Sequence, residues 1–201
     1  YGEDIKYLEY YLSYQYIALG GVAGRMMTPQ ELMNWLDILF REYICDKQGY
    51  PKMKVHGFGI TSHQIMFRYP WYSVDSTAWL QYSAFGSIIV PQFRNGNYDY
   101  SLFPWRVFVS VESPHQRESG KHFETFPLRE QKSISDYVKK IGVDWGETEG
   151  KLYEEIKVIK RGVTNHHEKR ERVNLIYYQN LVKTFPIWPW PLKIGKFKKQ
   201  E

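Results

Sequence analysis

The chain has 201 residues, of which 43% are apolar and 24% charged, and these proportions exclude a disordered, collagen-like or coiled-coil protein. Its single cysteine excludes an internal disulfide framework and any site that needs several thiolates. The net charge of +5 and the aromatic content of 17% fit a nucleic-acid partner, although an aromatic core and a charged surface explain both figures more simply.

No apolar run approaches the roughly 20 residues that a membrane-spanning helix needs, so we expect no membrane association. The start of the chain shows no signal-peptide pattern, and we therefore expect a cytoplasmic location. Because the first residue is not methionine, we also expect the chain to start inside a longer reading frame.

Helix-like and strand-like patterns alternate over the first 90 residues. Apolar residues at helical spacing predict a helix over 3–14, and a short apolar run predicts a buried strand over 16–19. The next helix has a capping box, with Thr28 as the cap and Glu31 three residues later. We expect this helix to end near Ile44.

Two further strands follow in the same alternation. The sequence predicts strands over 54–60 and 71–75, separated by a short helix that Thr61 or Ser62 caps and that ends near Phe67. Strand and helix alternation at this spacing is typical of parallel βαβ units. Parallel strands are usually buried on both faces, and we expect that of these.

Right-handed crossovers bring the carboxyl ends of parallel strands to one edge of a sheet, where α/β barrels carry their chemistry. Asp75 at this edge is placed to act as a nucleophile or base, although it could equally cap a helix that starts near Thr77.

Gly20, Gly21 and Gly24 could offer backbone amides to a ligand or form only a tight turn. Their spacing is not a dinucleotide-binding fingerprint.

The alternation of strand-like and helix-like segments does not continue after Ala84. Residues 88–111 predict a small antiparallel hairpin. In it Arg94 precedes an Asn95-Gly96 turn, where it could contact a phosphate or simply flank the turn. Helices are predicted over 128–141, 147–161 and 168–184. The proline-rich segment 185–191 cannot be helical, and we expect it to pack as an extended strap.

Two further groups of residues have simple explanations. His56 and His63 flank the second strand, but no third ligand is evident, and we expect no metal site. A basic run over 157–172 is interrupted by acidic residues, so a solvated helix face explains it as well as a nucleic-acid surface does. That run comprises Lys157, Lys160, Arg161, Lys169, Arg170 and Arg172.

Taken in order, three segments resemble the C-terminal part of the tRNA-guanine transglycosylase superfamily, a family of (β/α)8 barrels. Residues 16–24 (YIALGGVAG) are similar to the sixth strand and its Gly-Gly loop, and residues 55–61 (VHGFGIT) resemble the seventh strand. Residues 72–79 (YSVDSTAW) resemble the eighth strand, which carries the nucleophilic aspartate. The Asp-Ser-Thr form looks closer to the phage and bacterial DNA-modifying branch than to the tRNA enzymes.

The resemblance implies an α/β fold in which residues 1–90 are the last three strands of a partial or complete (β/α)8 TIM-type barrel. Residues 91–201 would follow as a hairpin and a mostly helical C-terminal extension. Five strands of such a barrel should precede the first residue, so a companion segment or subunit is expected to complete it. The three-cysteine, one-histidine zinc site of the tRNA enzymes cannot form with Cys45 alone, and we expect no metal and no cofactor.

The resemblance also implies a transglycosylase that exchanges guanine for a 7-deazaguanine base in DNA or tRNA. Asp75 would form a covalent glycosyl intermediate, and backbone groups of Gly20 and Gly21 would bind the base. Aromatic residues such as Tyr72 and Trp79 could support a base that has left its stack. The full set of expected substrate-binding residues is Gly20, Gly21, Gly59, Ser76 and Arg94.

Two other classes of function remain open at this point. The chain could be a non-catalytic nucleic-acid-binding or assembly protein that keeps part of the barrel, in which case binding should weaken steeply with salt. It could also be a different barrel enzyme, such as a hydrolase that uses Asp75 as a general base.

Overall fold

A computed structural model describes residues 5–21, 28–115, 118–149 and 156–193. The chain divides into two compact units, the first comprising Tyr1–Ser76 with Phe185–Glu201 and the second Thr77–Thr184. The division therefore comes after Ser76 and again after Thr184, whereas the sequence places a boundary near residue 90. Gly24 of the predicted glycine loop lies outside the described residues.

The first unit contains a parallel three-stranded sheet in the order β1-β2-β3. This arrangement confirms the three predicted strands and their direction, although β2 and β3 are shorter than predicted. The elements in chain order are α1 (Ile5–Tyr11), β1 (Tyr16–Leu19), α2 (Pro29–Ile38) with a π-helical continuation (Leu39–Ile44), β2 (Lys54–Gly57), α3 (His63–Arg68) and β3 (Ser73–Val74).

The start of α2 has the predicted capping box. The Thr28 hydroxyl accepts a hydrogen bond from the Glu31 amide at 3.2 Å, and the Glu31 carboxylate accepts one from the Thr28 amide at 2.8 Å. These two bonds satisfy amides that an uncapped helix would leave unpaired. They explain why the helix begins at Pro29 and not earlier.

Only one face of the parallel sheet is buried, which corrects the expectation of burial on both faces. Ile17, Leu19 and Val55 point into the core, whereas Tyr16 and Lys54 on the other face are exposed. The burial alternates along β1 and β2 as the pleat of a strand requires, and the alternate positions on the open face are Tyr16, Ala18, Lys54 and His56, of which two carry polar or charged side chains. Gly57 continues the buried face, where a Cβ atom would lie 2.8 Å from Ile60 and 3.0 Å from Trp71.

The proline-rich segment packs onto the first unit as the predicted extended strap. The ring of Phe185 stacks on Phe67 with a centroid distance of 4.3 Å, and the Trp188 indole donates a hydrogen bond to the Pro70 carbonyl at 3.3 Å. The extended segment continues to residue 193, and we call residues 185–193 the strap. Near its end the Leu192 amide donates a hydrogen bond to the Gly49 carbonyl at 2.8 Å. The last strap residues therefore complete the first unit.

The second unit combines antiparallel pairs with two long helices. Strand β4 pairs with β7, and β5 pairs with β6 through the Asn95-Gly96 turn, so the predicted hairpin region is confirmed. The elements are α4 (Ala78–Ala84), β4 (Ser87–Val90), β5 (Gln92–Arg94), β6 (Asn97–Asp99), β7 (Trp105–Phe108), a 3-10 turn (Phe123–Thr125), α5 (Leu128–Lys140), β8 (Glu147–Glu149), β9 (Lys157–Lys160) and α6 (His167–Val182).

The helix predicted over 147–161 is wrong. Residues Glu147–Glu149 and Lys157–Lys160 instead pair as the antiparallel strands β8 and β9. Glycines at 146 and 150 interrupt the helical pattern, and Gly146 adopts a positive φ of 101° that helices do not contain. The adjacent β-branched residues Val158 and Ile159 then favour a strand.

Helix α6 buries two polar residues that the sequence did not distinguish from its surface. Arg170, taken from its sequence as part of a basic surface run, is buried and donates to the carbonyls of Ser83 at 2.7 Å and Val163 at 2.9 Å. Asn174, one turn later, is fully buried. Both are therefore structural residues of the second unit.

In the described part of the chain the sheets have two or three strands each, and none of them closes into a barrel. A helix long and apolar enough to cross a bilayer is not found among the described residues.

Candidate functional site

The three loops that follow β1, β2 and β3 lie along one edge of the parallel sheet. Leu19 is in register with Gly57, and Gly57 with Val74. The pairing continues past the strands, because the Asp75 amide donates to the Gly57 carbonyl at 3.2 Å. Gly20, Gly59 and Asp75 therefore follow the carboxyl ends of neighbouring parallel strands, with the loop after β2 in the centre.

Asp75 is held at this edge by a backbone amide. Its Oδ1 accepts a hydrogen bond from the Gly59 amide at 3.0 Å, and the Gly59 backbone has the positive φ of 71° that glycine adopts without a steric penalty. The side chain is nevertheless 58% exposed. The carboxylate is thus oriented by the protein and accessible to a substrate.

His56 lies next to Asp75 and is oriented by a chain of hydroxyl groups. Its Nε2 is 3.8 Å from Asp75 Oδ1, and its Nδ1 is 2.8 Å from the Ser73 hydroxyl. That hydroxyl is in turn 3.1 Å from the Tyr16 hydroxyl. With 17% of its side chain exposed, the imidazole is more confined than the carboxylate that it faces.

Aromatic rings surround this polar group on the exposed face of the sheet. The Phe58 ring packs edge-to-face on His56 with a centroid distance of 4.6 Å. Tyr72 is exposed, lies edge-to-face against Tyr16, and has the Lys54 ammonium 4.5 Å from its ring centroid. The site therefore combines a carboxylate, an imidazole and flat apolar surfaces.

The predicted base-binding glycines lie beside this group. A Cβ atom at Gly20 would be 3.4 Å from the Phe58 ring, so the Gly20 backbone runs alongside that ring, and Gly21 is the next residue. Phe58 itself is bound to the first strand, because its amide donates to the Leu19 carbonyl at 2.9 Å. The residues that directly follow β1 and β2 are thus in contact.

The remaining predicted residues differ in their positions. Ser76 directly follows Asp75 and is half-buried at the end of the first unit. Arg94 belongs to the second unit, where it is the exposed last residue of β5. His63, considered as a metal ligand, is buried with its ring 4.5 Å from that of Phe67.

The position of His56 beside Asp75 was not predicted from the sequence, although a signal for part of it was present. Residue 56 is in register with Ala18 and Ser73. Side chains in register on neighbouring strands point to the same face of a sheet. A parallel alignment of the three predicted strands would therefore have placed the imidazole beside the Ser73 hydroxyl.

The lone cysteine is a poor nucleophile. Cys45 is buried, and this burial, assisted by the nearby Asp46 carboxylate, raises the pKa of its thiol to about 12. The thiolate that nucleophilic attack requires is therefore scarce at neutral pH.

A group of three or more His, Cys, Asp or Glu side chains that could hold a metal ion is not found among the described residues. No protein-family model, curated protein or solved structure matches this chain.

Proposed function

We propose that the chain carries the nucleophile of a transglycosylase that exchanges guanine for a 7-deazaguanine in DNA or tRNA. The observation that carries this proposal is the position of Asp75, an exposed carboxylate fixed by the Gly59 amide at the carboxyl edge of a parallel sheet. A nucleophile that is already oriented loses less entropy in reaching the transition state.

The proposed reaction consists of two displacements at one carbon. A carboxylate oxygen of Asp75 bonds to C1′ of the nucleoside while the bond from C1′ to N9 of guanine breaks. The electron pair leaves with guanine, which takes up a proton. N9 of the incoming 7-deazaguanine then loses its proton and displaces the carboxylate. A carboxylate suits both steps because it is a nucleophile and a competent leaving group.

The neighbours of Asp75 have matching roles in this proposal. His56, held by Ser73, acts as a positioning residue that limits the orientations of the carboxylate. The backbone of Gly20 and Gly21 binds the edge of the base. Phe58 and Tyr72 offer flat surfaces to a base that has left its stack.

The proposal includes a further segment or subunit that supplies additional strands to the parallel sheet of the first unit. Strands β1 and β3 are the outer strands of a three-stranded parallel sheet, and unpaired strand edges favour pairing with further strands. A companion segment or subunit would add the remaining strands of a (β/α)8 barrel. A nucleic-acid substrate of this kind is compatible with the cytoplasmic location expected from the sequence.

The Asp75→Asn variant tests the nucleophile directly, because asparagine keeps the shape but not the charge of the side chain. We expect wild-type protein incubated with guanine-containing DNA or tRNA to give an adduct that survives denaturing electrophoresis. The variant should give none, and incorporation of labelled guanine should fall by at least about a thousandfold, as expected for loss of a covalent step.

Glu42→Gln is the matched control, because Glu42 is an exposed carboxylate of the same unit whose ion pair is with the neighbouring Arg41. It should form the adduct at the wild-type rate. Undiminished adduct formation by Asp75→Asn would remove Asp75 from the mechanism. Release of free guanine without incorporation would indicate a hydrolase, and salt-sensitive binding without any exchange would indicate a binding protein.

A further inference from the structure

We propose that the second unit binds single-stranded nucleic acid in a groove between its small sheets and helix α5. The groove has a volume of about 870 Å³. Aromatic side chains of β5, β6 and β7 line one side, and α5 lines the other with positively charged side chains. The residues on which the proposal depends are Phe93, Tyr98, Trp105, Arg129, Lys139 and Lys140.

The aromatic side of the groove is held in place before any ligand arrives. The Tyr98 hydroxyl donates a hydrogen bond to the Ser133 carbonyl at 2.8 Å, and its ring packs edge-to-face on Tyr137 with a centroid distance of 5.1 Å. Phe93 packs edge-to-face on Tyr98 at 5.0 Å and is 45% exposed. Tyr98 and Trp105 are half-buried against the core of the second unit, so Phe93 is the most accessible ring of this side. Fixed rings that reach the surface are places on which nucleobases stack without regard to sequence.

The cationic side of the groove has charges that are free to bind phosphate. Among the residues that the structure describes, Arg129, Lys139 and Lys140 form no salt bridge, whereas the neighbouring Lys132 pairs with Asp136 at 2.7 Å. The groove is lined by the four cations Arg129, Lys132, Lys139 and Lys140 and by the two carboxylates Glu130 and Asp136, so its net charge is +2. An anionic ligand is therefore favoured.

The spacing of these cations fits a chain of phosphates. Arg129 is in the first turn of α5 and Lys139 is in the last, so a rise of about 1.5 Å per residue separates their backbones by about 15 Å. That distance corresponds to about four stacked nucleotides at roughly 3.4 Å per step. The Lys140 ammonium is 5.3 Å from the Tyr98 ring centroid, so charge and ring surface lie side by side, as base and phosphate do.

Single-stranded nucleic acid fits this combination better than an acidic peptide does. The carboxylates of an acidic peptide would pair with the cations, but such a peptide has no nucleobase to stack on the rings of Phe93 and Trp105. In a duplex the base faces are already stacked on one another. The groove does not use Asp75, so its binding and the base-exchange activity are separable by experiment.

The test is fluorescence anisotropy of the full-length protein with labelled oligo-dT and oligo-rU of about 12 nucleotides. The Lys139→Gln, Lys140→Gln double variant should lower affinity at least tenfold. Between about 50 and 200 mM salt, the slope of log K against log salt should become shallower by about 1.4, or about 0.7 for each cation removed. Phe93→Ala should lower affinity about fivefold or more and leave the slope unchanged.

Lys157→Gln is the matched control, because Lys157 is an exposed lysine of β9 in the same unit and does not line the groove. It should bind within about twofold of wild type. Thermal midpoints of all variants near that of wild type confirm that they are folded. Wild-type affinity of the folded groove variants would overturn the proposal, and so would equal competition by polyglutamate or insensitivity to Phe93→Ala.

Discussion

Asp37, Arg68 and Tyr69 form a polar cluster that links helix α2 to the end of α3. The Arg68 guanidinium donates two hydrogen bonds to the Asp37 carboxylate, at 2.8 and 2.6 Å, and the Tyr69 hydroxyl donates a third at 2.8 Å. Burial alone would raise the pKa of Asp37, but the bonds from Arg68 and Tyr69 outweigh it and hold that pKa below its usual range. The carboxylate is thus stabilised in its charged form by folding.

We predict that Asp37→Asn lowers the free energy of unfolding by about 3 kcal/mol at neutral pH, because it removes the negative charge with which the largely buried Arg68 guanidinium pairs. A carboxyl group whose folded-state pKa is depressed stabilises the protein above its unfolded pKa of 3.8 and loses that effect as the pH falls through the folded-state value. The difference between wild type and variant should therefore shrink on acidification.

Urea unfolding at pH 7 and near pH 3 measures this difference. Glu42→Gln, in the exposed pair with Arg41, should change stability by less than about 1 kcal/mol at either pH. A pH-independent gap between wild type and Asp37→Asn would show that the carboxylate does not titrate as the geometry requires.

At the scale of elements, helix α6 covers an open edge of the strand β4. The Asn174 side chain accepts a hydrogen bond from the Ile89 amide at 2.8 Å and donates to the Ser87 carbonyl at 3.4 Å and the Trp79 carbonyl at 3.0 Å. One carboxamide thus replaces part of a missing neighbouring strand. Uncovered strand edges invite aggregation, and here a helix prevents it.

We predict that Asn174→Leu destabilises the protein by about 3 kcal/mol, because leucine has a similar volume but leaves the Ile89 amide buried and unsatisfied. Chemical denaturation followed by circular dichroism measures the loss. Gln179→Leu, at an exposed position of the same helix, should stay within about 0.5 kcal/mol of wild type. A comparable loss in both variants would assign the effect to the helix surface and not to the edge of β4.

Elements with strong local signals were predictable, and elements without them were not. Helix α5 is amphipathic, follows the predicted range closely and ends just before Gly142, which has a positive φ of 71°. The segment 147–161 has a comparable mixture of charged and apolar residues but forms the strands β8 and β9. The antiparallel pairing of the two ends of this segment with each other decided this outcome, and the spacing of apolar residues along the segment does not report such pairing.

At the scale of the whole molecule, the second unit is inserted into the sequence of the first. The second unit is continuous from Thr77 to Thr184, whereas the first needs both ends of the chain. The second unit also has its own buried core, with Ile88, Val107, Ile134 and Val173 among its members. A continuous segment with a core of its own meets the usual criteria for independent folding.

We predict that the fragment 77–184 folds alone. It should unfold in a single cooperative transition on heating, as single domains of this size usually do, with a circular dichroism spectrum that retains the helices α5 and α6. A matched fragment 1–76, which lacks the strap 185–193, should show no cooperative transition. A fragment 77–184 without a cooperative transition would mean that its core depends on the first unit.

The sequence by itself determined the capping box at the start of α2, the order of β1, β2 and β3 and the shared edge that carries Asp75. These features follow from local alternation, from hydrogen bonding within a few residues and from the direction that crossovers impose on strands. Only the tertiary structure decided that the His56 imidazole faces the Asp75 carboxylate and that Arg170 is buried against the Ser83 carbonyl. Such contacts join residues distant in the sequence, and they depend on strand register and packing that local patterns do not specify.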